Sequence, residues 1–151
     1  MGLRRKVKRV HFVGIGGIGQ SGIAEVLYAQ DFEVTGSDMH ESANVQRLRT
    51  KGLVVTVPHA APAVEGACVC VVSTAIPESN PEVVRAKALG IPVIRRAEML
   101  AELLRLQSGV CIAGQHGKTT TTSMVADVFT HEIGHAIGLK HPFDGKGDTP
   151  P

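Results

Sequence analysis

The sequence predicts an α/β fold, a Rossmann-like doubly wound parallel sheet. Between residues 10 and 106, apolar runs short enough for buried strands alternate with helical patterns. Gly14, Gly16 and Gly19 follow the first apolar run at G-x-G-x-x-G spacing and open the first helical pattern. This order of strand, glycine turn and helix is typical of a nucleotide-binding βαβ unit with a right-handed crossover.

Each element follows from its local pattern. Gly52 and Gly90 are placed to end two of the helices. We expect Ile18, Ile23, Val26 and Leu27 to face the core from the first helix, and Met99, Leu100, Leu103 and Leu104 to do so from the last one. The predicted strands lie at 10–13, 33–38, 53–57, 67–73, 91–94 and 110–113, and the predicted helices begin near 18 and span 42–51, 80–89 and 97–106.

Length and composition limit the class of protein. The chain has 151 residues, of which 43% are hydrophobic, and this suits one domain of ordinary size. A net charge of +2 and an aromatic content of 3% do not indicate a nucleic-acid partner. No apolar run approaches the length of a membrane span, so we expect no membrane partner. The three cysteines lie in strand-like runs, which suggests a reducing cytoplasm.

Several polar residues follow predicted strands. Asp38 lies about 20 residues beyond the glycine turn, where a carboxylate meets a ribose hydroxyl in nucleotide folds. His59, Ser73 and Thr74 would lie at the carboxyl edge of the sheet, where open α/β sheets bind ligands. Two plainer interpretations remain open: the glycine turn serves only packing, and Asp38 is an acid of a surface turn.

A second glycine-rich loop follows the sixth predicted strand. It runs Gly114-Gln115-His116-Gly117-Lys118-Thr119-Thr120, and its backbone N–H groups and Lys118 would hold phosphates while the Thr119 hydroxyl reaches Mg²⁺. Ile112 stands where the strict phosphate-loop pattern requires glycine. A glycine-rich turn with a surface lysine is the alternative.

Taken together, the two glycine loops, the run Ser73-Thr74-Ala75-Ile76-Pro77 and the run from Arg95 to Leu103 resemble the Mur ligase family, most closely its L-alanine-adding branch. The resemblance covers about residues 9–129. It implies a cytoplasmic enzyme of peptidoglycan synthesis that uses ATP and Mg²⁺ to couple an amino acid to the lactyl carboxylate of UDP-N-acetylmuramate through an acyl phosphate.

The resemblance also implies roles for individual residues. Gln115 departs from the family, which usually has threonine or serine there. We expect residues 1–107 to bind the UDP-sugar and residues 108–129 to begin a truncated ATP domain, without ligation by this chain alone. The implied diphosphate ligands are Gly14, Gly16, Gly17, Gly19 and Ser21; those near the uridine are Asp38, His59, Ser73 and Thr74; those for ATP are Gly114, His116, Gly117, Lys118, Thr119 and Thr120.

The C-terminal residues carry a different motif. Residues 131–141 match H-E-x-x-H-x-x-G-x-x-H, with His131, His135 and His141 as zinc ligands and Glu132 as general base. The motif resembles the zinc helix of metzincin proteases, the serralysin branch in particular. No methionine follows His141, so the Met-turn of that family is absent.

We therefore expect 130–151 to be a foreign segment, joined by fusion, frameshift or design. Zinc binding by its three histidines remains open. The alternatives to a ligase are a zinc metallopeptidase and a dinucleotide-dependent oxidoreductase.

Overall fold

The computed structural model of the chain describes residues 8–106 and 112–136. Two compact units divide the chain, Met1–Ser108 and Gly109–Pro151. A short 3-10 helix, Ala61–Val64, joins the third and fourth strands of the first unit. The strands of this unit are β1 (Arg9–Val13), β2 (Glu33–Ser37), β3 (Val54–Thr56), β4 (Val69–Val72) and β5 (Val93–Arg95). Its helices are α1 (Ile18–Ala29), α2 (Ala43–Thr50), α3 (Pro81–Ala88) and α4 (Arg96–Leu106).

The strands form one parallel sheet in the order β3-β2-β1-β4-β5. β1 is the central strand, and Val10 pairs with Val34 on one side and Val69 on the other. The strand order reverses between β1 and β4, and open α/β sheets bind ligands at such a switch point. The predicted fold class is confirmed.

Helices cover both faces of the sheet. Val10 and Phe12 of β1 pack into a core with residues of α1, α2 and α4, whereas Val13 packs on the opposite face with Val64 and Ala86. Consecutive side chains of a strand point to opposite faces. This two-sided burial explains why the first predicted strand is apolar almost throughout.

Local signals define the helix ends. α2 follows Ser42, whose Oγ accepts a hydrogen bond from the Val45 N–H at 3.2 Å. α3 follows Asn80, whose Oδ1 accepts one from the Glu82 N–H at 2.9 Å. Such N-cap side chains satisfy backbone donors that have no partner within the helix. Gly52 and Gly90 lie just beyond α2 and α3, as predicted.

The apolar stripes of two helices are narrower than predicted. Ile18 is 88% exposed because it lies in the glycine turn at the start of α1, and Val26 of the same helix is also exposed. On α4, Met99 and Leu103 are buried, but Leu100 and Leu104 are not. Met99 and Leu103, at positions i and i+4, are enough to pack α4 against its neighbours. Of the predicted sixth strand, 110–111 lie outside the described residues and 112–113 are not in a strand.

The described part of the second unit is a turn followed by one helix, α5 (Lys118–Ala136). The first bond of the helix runs from the Thr121 N–H to the Gly117 carbonyl at 2.9 Å. The helix continues without a break past residue 130. In the described part of the chain, none of the helices has the length and apolar character needed to cross a membrane.

Candidate functional site

The turn between β1 and α1 is held against β2. The N–H groups of Gly14 and Ile15 both donate to the Ser37 carbonyl, at 2.8 and 2.9 Å. Gly14 has a φ of +81°, which favours glycine. The buried Ile15 side chain anchors the turn in the core. The remaining glycines, Gly16, Gly17 and Gly19, therefore stand at the carboxyl edge of the sheet.

Asp38 meets the glycine turn. Its Oδ2 accepts a hydrogen bond from the Gly16 N–H at 2.8 Å, and the Asn44 side chain donates to the Gly16 carbonyl at 2.9 Å. A Cβ on Gly16 would lie 2.7 Å from Asp38 Oδ2, so any other residue would force the carboxylate to shift. The structure thus brings together two of the predicted site residues that are 22 positions apart.

Among residues 8–106 and 112–136, no side chain caps the N-terminus of α1. Gly17 is the N-cap and offers no side-chain hydrogen bond, and no acidic residue lies in the first turn. The N–H groups of Ile18, Gly19 and Gln20 have no partner within the helix because they precede its first bond, from Ser21 to Gly17. These three donors make this end of the helix suitable for an anion.

Arg96 lies at the same helix end. Its guanidinium contacts Gly19 so closely that any side chain at position 19 would collide with it. In the sequence, Arg96 stands out only as a member of the run from Arg95 to Leu103, and no role was predicted for it. Its position directly after β5 was the available signal, since that too is the carboxyl edge of the sheet.

Ser21 faces inward, although the resemblance implies a diphosphate ligand. The side chain is buried, and its hydroxyl donates to the Ile18 carbonyl at 3.1 Å. Its neighbour Gln20 is buried too, and donates through Nε2 to the Val13 carbonyl at 3.3 Å. Gln20 thus ties the first turn of α1 to β1, whereas Ser21 bonds within that turn.

Ser73 and Thr74 follow β4 and line a cleft of about 250 Å³. The other polar or charged residues of the cleft are Glu78, Lys87 and Arg95. Ile76 joins this loop to the glycine turn, since a Cβ on Gly14 would lie 3.2 Å from Ile76 Cδ1. The loops after β1 and β4 therefore meet at the switch point of the sheet.

Four polar side chains, His11, Ser37, His59 and Glu82, meet on the α3 face of the sheet, and we call them the His–Glu network. His11 Nε2 lies 2.8 Å from Glu82 Oε2, to which the Ser37 hydroxyl donates at 2.7 Å. Ser37 Oγ also lies 2.7 Å from His59 Nδ1. Of these four residues, only His59 was predicted from the sequence, because it follows β3. His11 gave no signal because it lies within an apolar run, and Glu82 gave none because acidic residues are common at helix starts.

Opposing influences act on the pKa of Glu82. Burial alone would raise it, but hydrogen bonds from His11, Ser37 and the Ala60 N–H, with the charge of His11, hold the pKa below its ordinary value. Glu82 is therefore ionised at neutral pH. Burial and the negative charge of Glu82 together raise the pKa of the neighbouring Cys70 to about 12, which makes that thiol unreactive.

The second glycine-rich loop leads directly into α5. The Lys118 ammonium folds back and donates to the Gly114 carbonyl, and Gly117 has a φ of +74°. His116, Thr119 and Thr120 are exposed around the start of the helix. A lysine that closes over a loop of backbone N–H groups suits a phosphate chain, and an exposed threonine hydroxyl suits Mg²⁺.

The zinc motif is only partly within the described residues. α5 includes positions 131, 132 and 135, whereas His141 lies outside the described part. Among the described residues there is no group of three or more His, Cys, Asp or Glu side chains that could hold a metal ion. The predicted zinc site therefore has no support in this structure, and it stays a prediction.

Known proteins resemble this chain over most of its length. It is 64% identical over 126 residues to the UDP-N-acetylmuramate–L-alanine ligase of Rhodopseudomonas palustris strain BisA53, and 65% identical to that of Nitrobacter hamburgensis. Each match covers 83% of this chain and 27% of the relative. The chain thus spans about a quarter of the length of the curated relatives it matches.

A solved structure is similar in fold. The UDP-N-acetylmuramate-alanine ligase of Thermotoga maritima matches with a TM-score of 0.76 and 35% identity, over 83% of this chain and 30% of that one. A family model described as the Mur ligase family, catalytic domain, matches residues 9–108. The matched residues include both loops of the switch point, Asp38, Arg96 and the His–Glu network. The chain belongs to the Mur ligase family.

Proposed function

We propose that the first unit binds UDP-N-acetylmuramate, and that the chain is part of a cytoplasmic, ATP-dependent ligase that adds L-alanine to this nucleotide sugar. The observation that carries the proposal is the uncapped N-terminus of α1 beside the Arg96 guanidinium. The names of relatives at 64–65% identity support the choice of substrate.

The diphosphate would bind at the start of α1. The free N–H groups of Ile18, Gly19 and Gln20 donate there, and the helix dipole favours negative charge at this end. Arg96 adds a guanidinium, whose fork of N–H donors matches phosphate oxygens. Gly16 is not a donor to the ligand in this arrangement, because its N–H is already bonded to Asp38.

The rest of the nucleotide sugar would follow the carboxyl edge of the sheet. Asp38 retains a second carboxylate oxygen for a ribose hydroxyl, since the one bond that Oδ1 receives from the described part of the chain is a weak one of 3.4 Å from the His40 N–H. Ser73 and Thr74 offer hydroxyls on the other side of the switch point. This order of ligand groups is typical of nucleotides in open α/β sheets.

ATP and Mg²⁺ would bind the second glycine-rich loop. Gly114, His116 and Gly117 would surround the phosphates, with Lys118 on a phosphate, Thr120 beside it and Thr119 on Mg²⁺. Bound ATP supplies the phosphoryl group that activates the carboxylate.

The sequence spans about a quarter of the length of its relatives. We infer that these 151 residues bind the UDP-sugar but do not catalyse ligation alone, because ligation requires all reactants to be held together.

The domain boundaries follow from the same proposal. Residues 1–107 would be the UDP-sugar domain and 108–129 the first part of the ATP domain. Residues 130–151, with the zinc motif, would be a segment of separate origin.

Thermal unfolding of the 151-residue chain with and without UDP-N-acetylmuramate tests the proposal. A ligand that binds only the folded state stabilises it by about 2.7 kcal/mol at one hundred times its Kd. We expect the nucleotide sugar to raise the midpoint by several degrees and NAD to leave it unchanged, at constant Zn²⁺. A chain that unfolds cooperatively but gains nothing from UDP-N-acetylmuramate would overturn the assignment.

Two variants make the test specific to the site. Arg96→Ala should lose most of the midpoint rise because it removes the cation at the helix end. Arg105→Ala is the matched control, since Arg105 lies on the same helix and bonds Glu102 instead. An equal rise in wild type and Arg96→Ala would remove Arg96 from the site.

A further inference from the structure

β3 is an edge strand of the sheet. The strand order places it at one end, with β2 as its neighbour on one side. The Thr56 carbonyl faces β2, where it accepts a hydrogen bond from the Asp38 N–H at 3.0 Å. Consecutive residues of a strand direct their backbone groups to opposite sides, so the N–H and carbonyl of Val55 face away from the sheet. Backbone groups that face outward from an edge can pair with a strand of another chain.

Arg49 covers the carbonyl of this outward residue. It lies in the last turn of α2, and its guanidinium donates to the Val55 carbonyl through Nε at 3.2 Å and through Nη2 at 2.8 Å. Two donors on one carbonyl use both of its lone pairs. A strand that approached this edge would therefore find the central acceptor of β3 already taken.

Glu41 holds the guanidinium in place. Its carboxylate accepts hydrogen bonds from Arg49 Nη1, at 2.6 Å to Oε1 and 2.7 Å to Oε2. Both side chains are partly exposed, at 40% for Arg49 and 42% for Glu41. Exposed ion pairs of this kind add little to the free energy of unfolding. The place of this pair, on the open edge of a sheet, points to a role other than stability.

The backbone groups of Val55 are self-complementary. Two antiparallel copies of β3, related by a two-fold axis at Val55, would exchange two hydrogen bonds, one from each Val55 N–H to the carbonyl of the other. The neighbouring Val54 side chain is 66% exposed and would add apolar surface to such a contact. A second copy of this chain therefore fits the edge that Arg49 covers.

We propose that Arg49 and Glu41 form an edge guard, which keeps β3 from pairing with β3 of a second copy of this chain. Loss of the guard frees the Val55 carbonyl and opens the edge to self-association. The guard lies on β3 and α2, and it acts whether or not the first unit binds a nucleotide sugar.

Sedimentation velocity of the 151-residue chain over a range of concentrations tests the guard. We expect Arg49→Ala to raise the self-association constant at least about tenfold over wild type, because two additional hydrogen bonds between chains correspond to a factor of this size. Arg47→Ala is the matched control, since Arg47 is on the same helix but bonds Glu25. Equal constants for Arg49→Ala and wild type, or an equal rise in Arg47→Ala, would overturn the proposal.

A second substitution tests where the copies meet. Val54→Lys, added to Arg49→Ala, should return the association constant to nearly the wild-type value, because a lysine on an edge strand opposes pairing with other chains. Val54 is exposed, so its replacement leaves the core intact. Undiminished association of the double variant would place the contact elsewhere and overturn pairing through β3.

Hydrogen exchange identifies the atoms that pair. In concentrated Arg49→Ala, the Val55 amide should exchange at least about tenfold more slowly than in a dilute sample, since its N–H is then bonded to the second copy. The same amide in wild type should exchange at one rate at both concentrations. A Val55 rate that is independent of concentration in an associating Arg49→Ala chain would contradict the proposed pairing.

Glu41→Ala tests the guard even if Arg49→Ala does not fold, because Glu41 precedes α2 and is not part of it. We expect the association constant to rise by roughly threefold, since the guanidinium is no longer held on the Val55 carbonyl by a charge-assisted hydrogen bond. A Glu41→Ala chain that associates no more than wild type would overturn the proposal.

Discussion

Gly16 lies between the Asp38 carboxylate and the start of α2. An added Cβ would lie 2.7 Å from Asp38 Oδ2, 3.0 Å from Val45 Cγ2 and 3.1 Å from Ser42 Oγ. Asp38 is also bonded to the backbone of this residue, so it cannot move away without loss of that bond. A side chain here would therefore push the glycine turn off the edge of β2.

We expect Gly16→Val to weaken UDP-N-acetylmuramate binding by more than about tenfold, because the turn would no longer present its backbone to the ligand. Titration calorimetry on the 151-residue chain measures the affinity. Gly22→Val is a suitable control, since Gly22 is on α1 and nothing lies within 4 Å of an added Cβ. Wild-type affinity in Gly16→Val would show that the turn is not the binding site.

Among the elements, α3 has an N-terminus that both caps the helix and contributes a side chain to the His–Glu network. Asn80 caps the helix through the Glu82 backbone, and the Glu82 side chain two residues into the helix reaches His11 on β1. The turn from Asn80 to Glu82 thus begins the helix and also orients the Glu82 carboxylate toward His11. Loss of the cap would loosen both.

Asn80→Ala should lower the free energy of unfolding by about 1 kcal/mol through loss of the cap. Ser42→Ala at the start of α2 removes an equivalent cap far from Glu82 and gives the reference value. Urea unfolding of the two variants measures both changes. A change near zero for Asn80→Ala, with a normal change for Ser42→Ala, would show that α3 does not depend on its cap.

The elements could be predicted where their signals are local. Ser42 with Gly52, and Asn80 with Gly90, define two helices through capping chemistry that needs no knowledge of the rest of the chain. The direction of Leu100 could not be predicted in this way. Whether a leucine beside a buried one is itself covered depends on which helix arrives next to it, and α4 meets its neighbours mainly through Met99 and Leu103.

At the scale of the whole molecule, the His–Glu network connects both halves of the sheet. His11 and Glu82 are 71 positions apart, and neither departs from the pattern of its own element. The carboxyl-edge rule predicted Asp38 and His59 because it depends only on where strands end. His11 and Glu82 come together only because α3 packs against the sheet, and this packing cannot be predicted from local spacing in the sequence.

Because Glu82 is ionised in the folded chain, we expect the free energy of unfolding to decrease at acidic pH. Its pKa is lowered on folding from an ordinary value of 4.5, so its contribution is complete above that value and declines as pH falls through the lower folded pKa. We expect urea midpoints to stay level from pH 7 to about 5 and to fall below it. Glu82→Gln should be less stable at pH 7 and show a flatter acid limb.

Glu65→Gln provides the comparison for this experiment, because Glu65 is exposed and its pairing with Arg85 is at the surface. Its midpoints should follow those of the wild-type chain at each pH. An acid limb that is as steep in Glu82→Gln as in wild type would assign the acid sensitivity to other carboxylates, such as Glu25, whose pKa is lowered chiefly by its hydrogen bond from Lys51.

The strand order has a consequence for biosynthesis. β1 is central, yet ribosomes make it before either of its neighbours, and its partner β4 is translated about 60 residues later. At typical translation speeds this leaves one apolar edge of the nascent chain without its partner for roughly 3–12 s. Bare strand edges promote association between chains. Until β4 is made, that edge of β1 is therefore open to pairing with a strand of another chain.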